Sequence, residues 1–263
     1  MIKRQDKPFK EGYNAITSLE DKDNKTLMDY GALLLNKDQS YIDRENKEKA
    51  YLLVKGKVVF EWEGNKVEAQ RNSYLDENPC CLHVPAGTAI KVTALSNDTE
   101  ISVTRTYNDK TFAPRFHTQQ ECASEHRGAG TLGETSTRIV RTLFDYHTEK
   151  NANLVLGEVI NYPGKWSSYP PHHHPQPEIY YYKFQPEQGF GFAMLGEEVE
   201  KVKHNDTAII LDDVSHPQTA GPGYAMYYVW VIRHLDGDPY ITPVFEPEHL
   251  WVTDTNAKIW PEK

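Results

Sequence analysis

Cysteine is scarce in this sequence, with three in 263 residues: Cys80, Cys81 and Cys122. An odd number, two of them adjacent, does not describe a disulfide framework, and isolated buried thiols ordinarily behave as small apolar residues. Long apolar runs are missing as well. No stretch approaches the roughly 18 residues needed to cross a bilayer, and the opening MIKRQDKPFKEG lacks the apolar segment of an export signal. A cytoplasmic protein without membrane association is therefore expected. Basic residues are in deficit. Against 38 Asp and Glu there are 29 Lys and Arg, a formal charge of -9, so the attraction that nucleic acid or anionic lipid would need is absent. Helical periodicity is also wanting. Even SLEDKDNKTLMDYGALLL, from Ser18 to Leu35, mixes polar and apolar residues without a sustained helical repeat.

What the sequence does contain is a series of short segments rich in Val, Ile, Tyr and Thr, among them KVVFEWEG, AIKVTAL, EISVTRTY, EIYYYKF, DTAIILDD and AMYYVWVI. Each has strand length, and turn residues separate them at the spacing of roughly 8 to 12 residues typical of sandwiches and barrels. The fold class expected is all-β. Two regions repeat one plan. Residues 54–94 read as a strand, a Gly-Asn turn, a strand and a PAG turn leading into another strand, and residues 178–220 repeat that order. Two tandem barrels of jelly-roll type follow: 1–124, a connecting segment over 125–150, and 151–263. The connection begins with EHRGAGTLGETSTR, whose composition suits a flexible linker, although its arginines also suit the wall of a site.

One stretch carries chemistry. In YPPHHHPQPEIYYYKF, Tyr169 to Phe184, prolines at 170, 171, 175 and 177 disfavour helix. On extended backbone His172 and His174 then share one face while His173 points the other way. Glu178 opens the next strand, and His216 follows 38 residues later. Imidazole and carboxylate together suit a first-row divalent ion such as Zn, Mn, Fe or Ni, with positions left for water or substrate. His-x-His-x-x-x-Glu with a distant His resembles the metal signature of cupin barrels. A second cupin word, Gly, five residues, Pro, one residue, Gly, two residues, His, keeps its spacing from Asn205 to His216, while Leu211 and Asp213 stand where Pro and Gly are usual. In the first half the same frame finds Pro85 and Gly87 but ends on Ile90, so no metal site is expected there. His83 is read as a packed or surface residue.

WSSYPPHHHPQPEIYYYKFQPEQGFGF and SHPQTAGPGYAMYYVWVI together resemble the 5-deoxyglucuronate isomerases of myo-inositol catabolism, most strongly over residues 157 to 233. The isomerases of 4-deoxy-5-ketouronates are a related family. The resemblance implies a bicupin with metal ligands His172, His174, Glu178 and His216. It also implies conversion of 5-deoxyglucuronate to 5-dehydro-2-deoxygluconate through an enediol, a small-molecule sugar acid as partner, and compatibility with a homo-oligomer. Two departures stand out. His173 replaces a Lys or similar residue, and LDDVSHP, Leu211 to Pro217, replaces a segment usually ending Gly-Tyr-His-Pro. Asp212 and Asp213 would repel a carboxylate substrate unless both face solvent.

Proton transfer needs an acid or base within hydrogen-bond reach. Alternation from Glu178 points Tyr180, Tyr182 and Phe184 inward and Tyr181 and Lys183 outward, making Tyr182 a candidate donor beside Tyr228, with Glu178 as base. Gln188 is a candidate for sugar hydroxyls. Arg127, Arg138, Arg141 and Arg233 are candidates for the carboxylate, because guanidinium matches it with two hydrogen bonds. The aromatic, Pro-rich C-terminal segment is expected to lie across a barrel or a neighbouring subunit and to bury its tryptophans there. Two rival functions share this ligand set: an Fe(II) dioxygenase and a non-enzymatic sugar-acid-binding bicupin.

Overall fold

The computed structural model describes residues 1–254 and 256–261. Its strands form two barrels built on the same plan. In the first, a sheet runs Arg115–His117, Cys81–Val84, Glu48–Trp62, Thr99–Thr106, Asp29–Leu35, Gly12–Thr17, and three further strands, Ser40–Asp43, Asn65–Arg71 and Ile90–Ala94, close it from the other side. Glu48–Trp62 serves both sides because it bends. Its pairing with Thr99–Thr106 shifts register between Leu53 and Lys55, and Gly56 follows at φ 109°, where a Cβ would lie 2.5 Å from Thr99 Oγ1. Only glycine fits that corner.

The second barrel has a seven-stranded sheet in the order Ile2–Lys3, Thr207–Ile210, Glu178–Gln185, Ala225–Arg233, Leu154–Asn161, Arg138–Phe144, Ala123–Arg127. A four-stranded sheet faces it: Trp166–Ser167, Gln218–Ala220, Phe190–Leu195, Glu198–Lys203. The segment 125–150, whose composition suggested a linker, is mostly part of this architecture. Arg127 pairs with Arg138 and Thr142 with Ala123 across an antiparallel ladder, so the Gly-rich stretch is the turn of a hairpin. The chain's opening residues also depart from the 1–124 assignment, since Ile2 and Lys3 pair with Ala208 and Thr207 of the second sheet.

Side-chain alternation divides each central strand between two cores. Tyr51 and Leu53 enter the first barrel's interior, and Ala50, Leu52 and Val54 face the seam between barrels. In the second barrel Tyr180, Tyr182 and Phe184 point inward, as alternation requires, while Ile179 and Tyr181 join that seam. Outward here means toward the partner barrel. Lys183 is accordingly buried, paired at 2.6 Å with Glu100 of the first half. All three cysteines are buried and free, Cys81 and Cys122 at the seam and Cys80 inside the first barrel.

Three histidines outside the candidate site, His83, His117 and His234, are buried with one ring nitrogen unpartnered. His117 stacks on Phe144 at 5.1 Å, and His234 accepts the Tyr240 N–H at 2.9 Å. Burial pulls His117 down to about 3, with His83 and Arg115 adding to it, and brings His234 to about 4. Both pKa values are depressed, so the unfolded chain binds protons below about 6.5 that the folded chain refuses. Stability is therefore complete above that pH and falls as the medium is acidified toward 4. Urea titrations are expected to lose about 2 to 4 kcal/mol between pH 7 and pH 5, near 1.4 kcal/mol per pH unit per group at most. His117→Phe should flatten the slope; an equal slope in that variant would assign the acid sensitivity elsewhere.

Candidate metal centre

The prolines hold residues 170–177 extended, and His172 and His173 pair with Phe245 and Val244 as a short ladder. His172 and His174 consequently face inward. His173 turns away to Asp213, its Nδ1 2.7 Å from the carboxylate. Glu178 begins the strand that follows, and His216 approaches from the loop before Gln218–Ala220.

Ligand atoms of His174, Glu178 and His216 lie within 4.8 Å of one another. Glu178 Oε2 is 3.2 Å from His174 Nε2 and 3.3 Å from His216 Nε2, and the His172 ring is centred 4.9 Å from that of His216. The other nitrogen of each ring decides its tautomer. His172 Nδ1 meets Pro170 O at 3.1 Å, His174 Nδ1 meets Gln176 O at 2.9 Å, and His216 Nδ1 meets Val214 O at 2.9 Å. A carbonyl only accepts, so each Nδ1 carries the proton and each Nε2 presents a bare lone pair. Lone pairs thus converge on a carboxylate, which is also acceptor-only. His216 Nε2, fully buried, makes no hydrogen bond. A cation is what this arrangement lacks electrostatically, and the backbone locks on Nδ1 are those that orient imidazole ligands.

Charge states agree. Burial alone would raise the Glu178 carboxyl; protons on His174 and His216 outweigh it and bring it to about 2, and with both Nε2 atoms bare that positive charge would have to come from an ion instead. Burial, helped by His216, lowers His172 to about 3, leaving it neutral as a ligand must be. The donor set fits a first-row divalent ion.

The first barrel fills the equivalent positions differently. Glu178 pairs with Ile210 and Ile232, and Lys49 pairs with Val84 and Arg105 in the corresponding strands. Counting from that register puts Asp43, Glu45, Lys49 and Ile90 where the second barrel has His172, His174, Glu178 and His216. Asp43 Oδ1 lies 3.5 Å from Lys49 Nζ, and its other oxygen takes Arg105 Nε at 2.5 Å. His83, also buried, bonds Glu48 at 2.9 Å.

His172, His174 and Glu178 line a cleft of about 310 Å³ whose walls also include Arg127, Arg138, Ser168, Tyr180, Tyr228 and Tyr240. The model of the KduI/IolB family matches residues 1–252. The chain belongs to that family. Among KduI/IolB relatives, the 5-deoxy-glucuronate isomerase of Geobacillus kaustophilus is 28% identical over 81% of this chain and 80% of its own, and that of Bacillus subtilis strain 168 is 26% identical over 87% and 89%. This KduI/IolB protein is accordingly an enzyme, an isomerase of the intramolecular oxidoreductase class. Its fold resembles the IolB-like protein of Salmonella typhimurium, with a TM-score of 0.84 at 22% identity over 94% of this chain and 97% of that one. It also resembles oxalate decarboxylase of Lactobacillus farciminis, with 0.66 at 11% over 97% and 91%. Both barrels are cupins.

Several expected residues lie elsewhere in this KduI/IolB chain. Tyr182 is four residues beyond Glu178, about 13 Å deeper along the strand, and its hydroxyl donates to Gln218 Oε1 at 2.6 Å. Tyr180, two residues on, reaches the cleft instead, with its hydroxyl 3.1 Å from Ser168 Oγ. Tyr228 lines the cleft beside it, 2.8 Å from Ser167 Oγ. Gln188 sits exposed in a hairpin turn. Arginines divide by strand parity. Arg138, Val140 and Thr142 face the cleft, so Arg141 faces the seam, where it donates to the carbonyls of Tyr74, Leu75 and Glu77. Arg233 likewise turns away, to Thr106 Oγ1 and Asp236.

The C-terminal segment does cross the second barrel, and Tyr240, Ile241, Thr242, Pro243 and Phe245 wall the cleft. Tyr240, its ring 4.7 Å from that of His174, escaped sequence reasoning because this stretch has no periodicity. This barrel does not bury the tryptophans, Trp251 being 54% and Trp260 85% exposed in the single chain. Asp212 and Asp213 are exposed and do not line the cleft.

Proposed function

We propose that this isomerase interconverts 5-deoxy-glucuronate and 5-dehydro-2-deoxygluconate, the aldose-ketose step that the relatives' name describes and that belongs to inositol breakdown. The observation that carries the reading is the convergence of two backbone-locked imidazoles, His174 and His216, on the buried Glu178 carboxylate at the base of a cleft, with the His172 ring packed against that of His216. His172, His174, Glu178 and His216 would hold a divalent ion, Zn, Mn, Fe or Ni, which when bound supplies positive charge against oxygens that become anionic in an enediol.

The chain's own groups suit the proton movements. An aldose becomes a ketose when the proton at C2 leaves, the C1 oxygen gains one, and a proton returns at C1 while the C2 hydroxyl gives up its own. Glu178 is ionised and accepts protons. Tyr228 is pushed up to about 12 by burial, outweighing Ser167, Ser168 and Arg138, which act in the opposite direction. It therefore stays protonated, with a hydroxyl that Ser167 orients and that can donate to a substrate oxygen. Tyr180, raised by burial and by Glu178, is protonated beside it.

Incubation of metal-replete protein with 5-deoxy-glucuronate in deuterated water, followed by NMR, tests the reading. Ketose formation with deuterium at the exchanging carbon is expected. No turnover would refute the substrate, and oxygen consumption with Fe(II) would favour a dioxygenase sharing the same ligands.

A further inference from the structure

Five arginines are buried in this chain: Arg71, Arg105, Arg138, Arg141 and Arg233. Four have a carboxylate partner. Arg71 and Arg141 share Glu158, Arg105 holds Asp43, and Arg233 meets Asp236. Arg138 has none among the described residues. In a protein with nine more acidic than basic side chains, a cation that is nine-tenths buried without a counter-ion is an exception to be explained, since an unpaired buried charge is costly.

Its surroundings say where the missing anion belongs. Arg138 lines the same cleft as His172, Glu178 and Tyr228. Of the five N–H groups of a guanidinium, one bonds Ser136 O at 2.8 Å and one bonds Tyr169 O at 2.9 Å. These bonds fix the side chain while adding no negative charge. Tyr169 adjoins Pro170, whose carbonyl orients His172, so one loop positions both the cation and a candidate metal ligand. Arg127, its cross-strand neighbour, stands exposed at the rim and is already engaged by Glu125 at 2.8 Å.

We infer that Arg138 is the anchor for the carboxylate of the substrate, selecting sugar acids over neutral sugars, and that the ligand supplies the counter-ion the fold omits. A uronate carries its acid group at the opposite end from the reacting aldehyde. Anchoring that end at Arg138 leaves the aldehyde end for the histidine cluster, so the residue sets direction as well as charge preference. Arg138 is thus a specificity-determining residue, distinct from the groups that move protons. The inference rests on the functional reading above for the substrate's name, and on the unpaired cation for its charge.

The test uses metal-replete full-length protein and two probes of nearly equal size, D-glucuronate and its methyl ester, titrated calorimetrically into wild type, Arg138→Gln and Arg138→Lys. Wild type is expected to bind the acid about ten- to a hundredfold more tightly than the ester, the range of a charge-assisted hydrogen-bonded pair. In Arg138→Gln that gap should close through weaker binding of the acid, with ester affinity and metal content unchanged. Arg138→Lys, which keeps the charge and loses the fork, should retain part of it. A wild-type protein that does not distinguish acid from ester overturns the inference, as does an Arg138→Gln variant that keeps the gap. If the gap depends on Arg138 while 5-deoxy-glucuronate is not turned over, the anchor stands and the named reaction falls.

Discussion

Replacing His174 by alanine is expected to remove metal binding and with it isomerase activity, while the fold survives. The ring contributes one of the lone pairs around Glu178 Oε2, at 3.2 Å, and its Nδ1 bond to Gln176 O leaves no second orientation open. Loss of a group that merely orients a ligand costs about 10- to 100-fold in metal affinity; loss of the ligand itself should exceed that. His216→Ala should behave alike, because the two rings flank the same carboxylate oxygen. Glu178 then keeps one imidazole beside it and little compensation for its burial. Metal content after dialysis, by elemental analysis, and turnover by NMR are the two readouts. Variants that retain a full complement of metal would disprove the ligand set. His173→Ala is the control. Its ring faces Asp213 outside the cleft, so metal and activity should both persist.

Glu158→Gln is expected to give the largest loss of stability. Glu158 lies in the second barrel and is wholly buried, with Arg71 of the first barrel bonded to both of its oxygens, at 2.6 and 2.8 Å. Arg141 approaches to 3.6 Å, and Tyr227 donates its hydroxyl. Neutralising the carboxylate leaves two guanidinium groups in a dry seam with no anion between them. Removing one partner of such a buried pair costs about 3 to 5 kcal/mol, which for a chain of this size lowers the melting temperature by about 10 °C. Replacing Arg71 as well, Arg71→Met with Glu158→Leu, should recover only part of that, since one unpaired charge is removed while Arg141 stays without its anion. A single variant within 1 kcal/mol of wild type in denaturant titration would show that water reaches the seam. Metal content should not change, because Glu158 lies on the opposite face of its strand from Val155 and Val159, which line the cleft.

The strands and the histidine cluster were readable because each depends on a period of two. Alternation alone separates His172 and His174 from His173, and sends Tyr180 inward. Depth is what alternation does not supply: it treats Tyr180 and Tyr182 as equals, and only the position of the cleft relative to Glu178 distinguishes them. Arg138 and Arg141 differ by parity within one strand, yet the strand itself was hidden. Its Gly-rich neighbour, which looks like a linker by composition, is a hairpin turn held by the ladder from Ala123 to Arg127. Tyr240 had no sequence signal, since a Pro-rich crossing segment acquires its address from tertiary contacts. The seam was hidden for the same reason. Lys183 reads as an exposed end of a strand until a second barrel places Glu100 against it.

The ammonium of Lys49, where the second barrel has Glu178, also fixes an analytical quantity. With a covalently attached cation beside Asp43 and with Ile90 in the fourth position, the first barrel has neither the donors nor the vacancy for an ion. If His172, His174, Glu178 and His216 hold the ion, the expected endpoint of a metal titration is one equivalent per chain. An endpoint of two would place a second ion in the first barrel and contradict the pairing of Lys49 with Asp43.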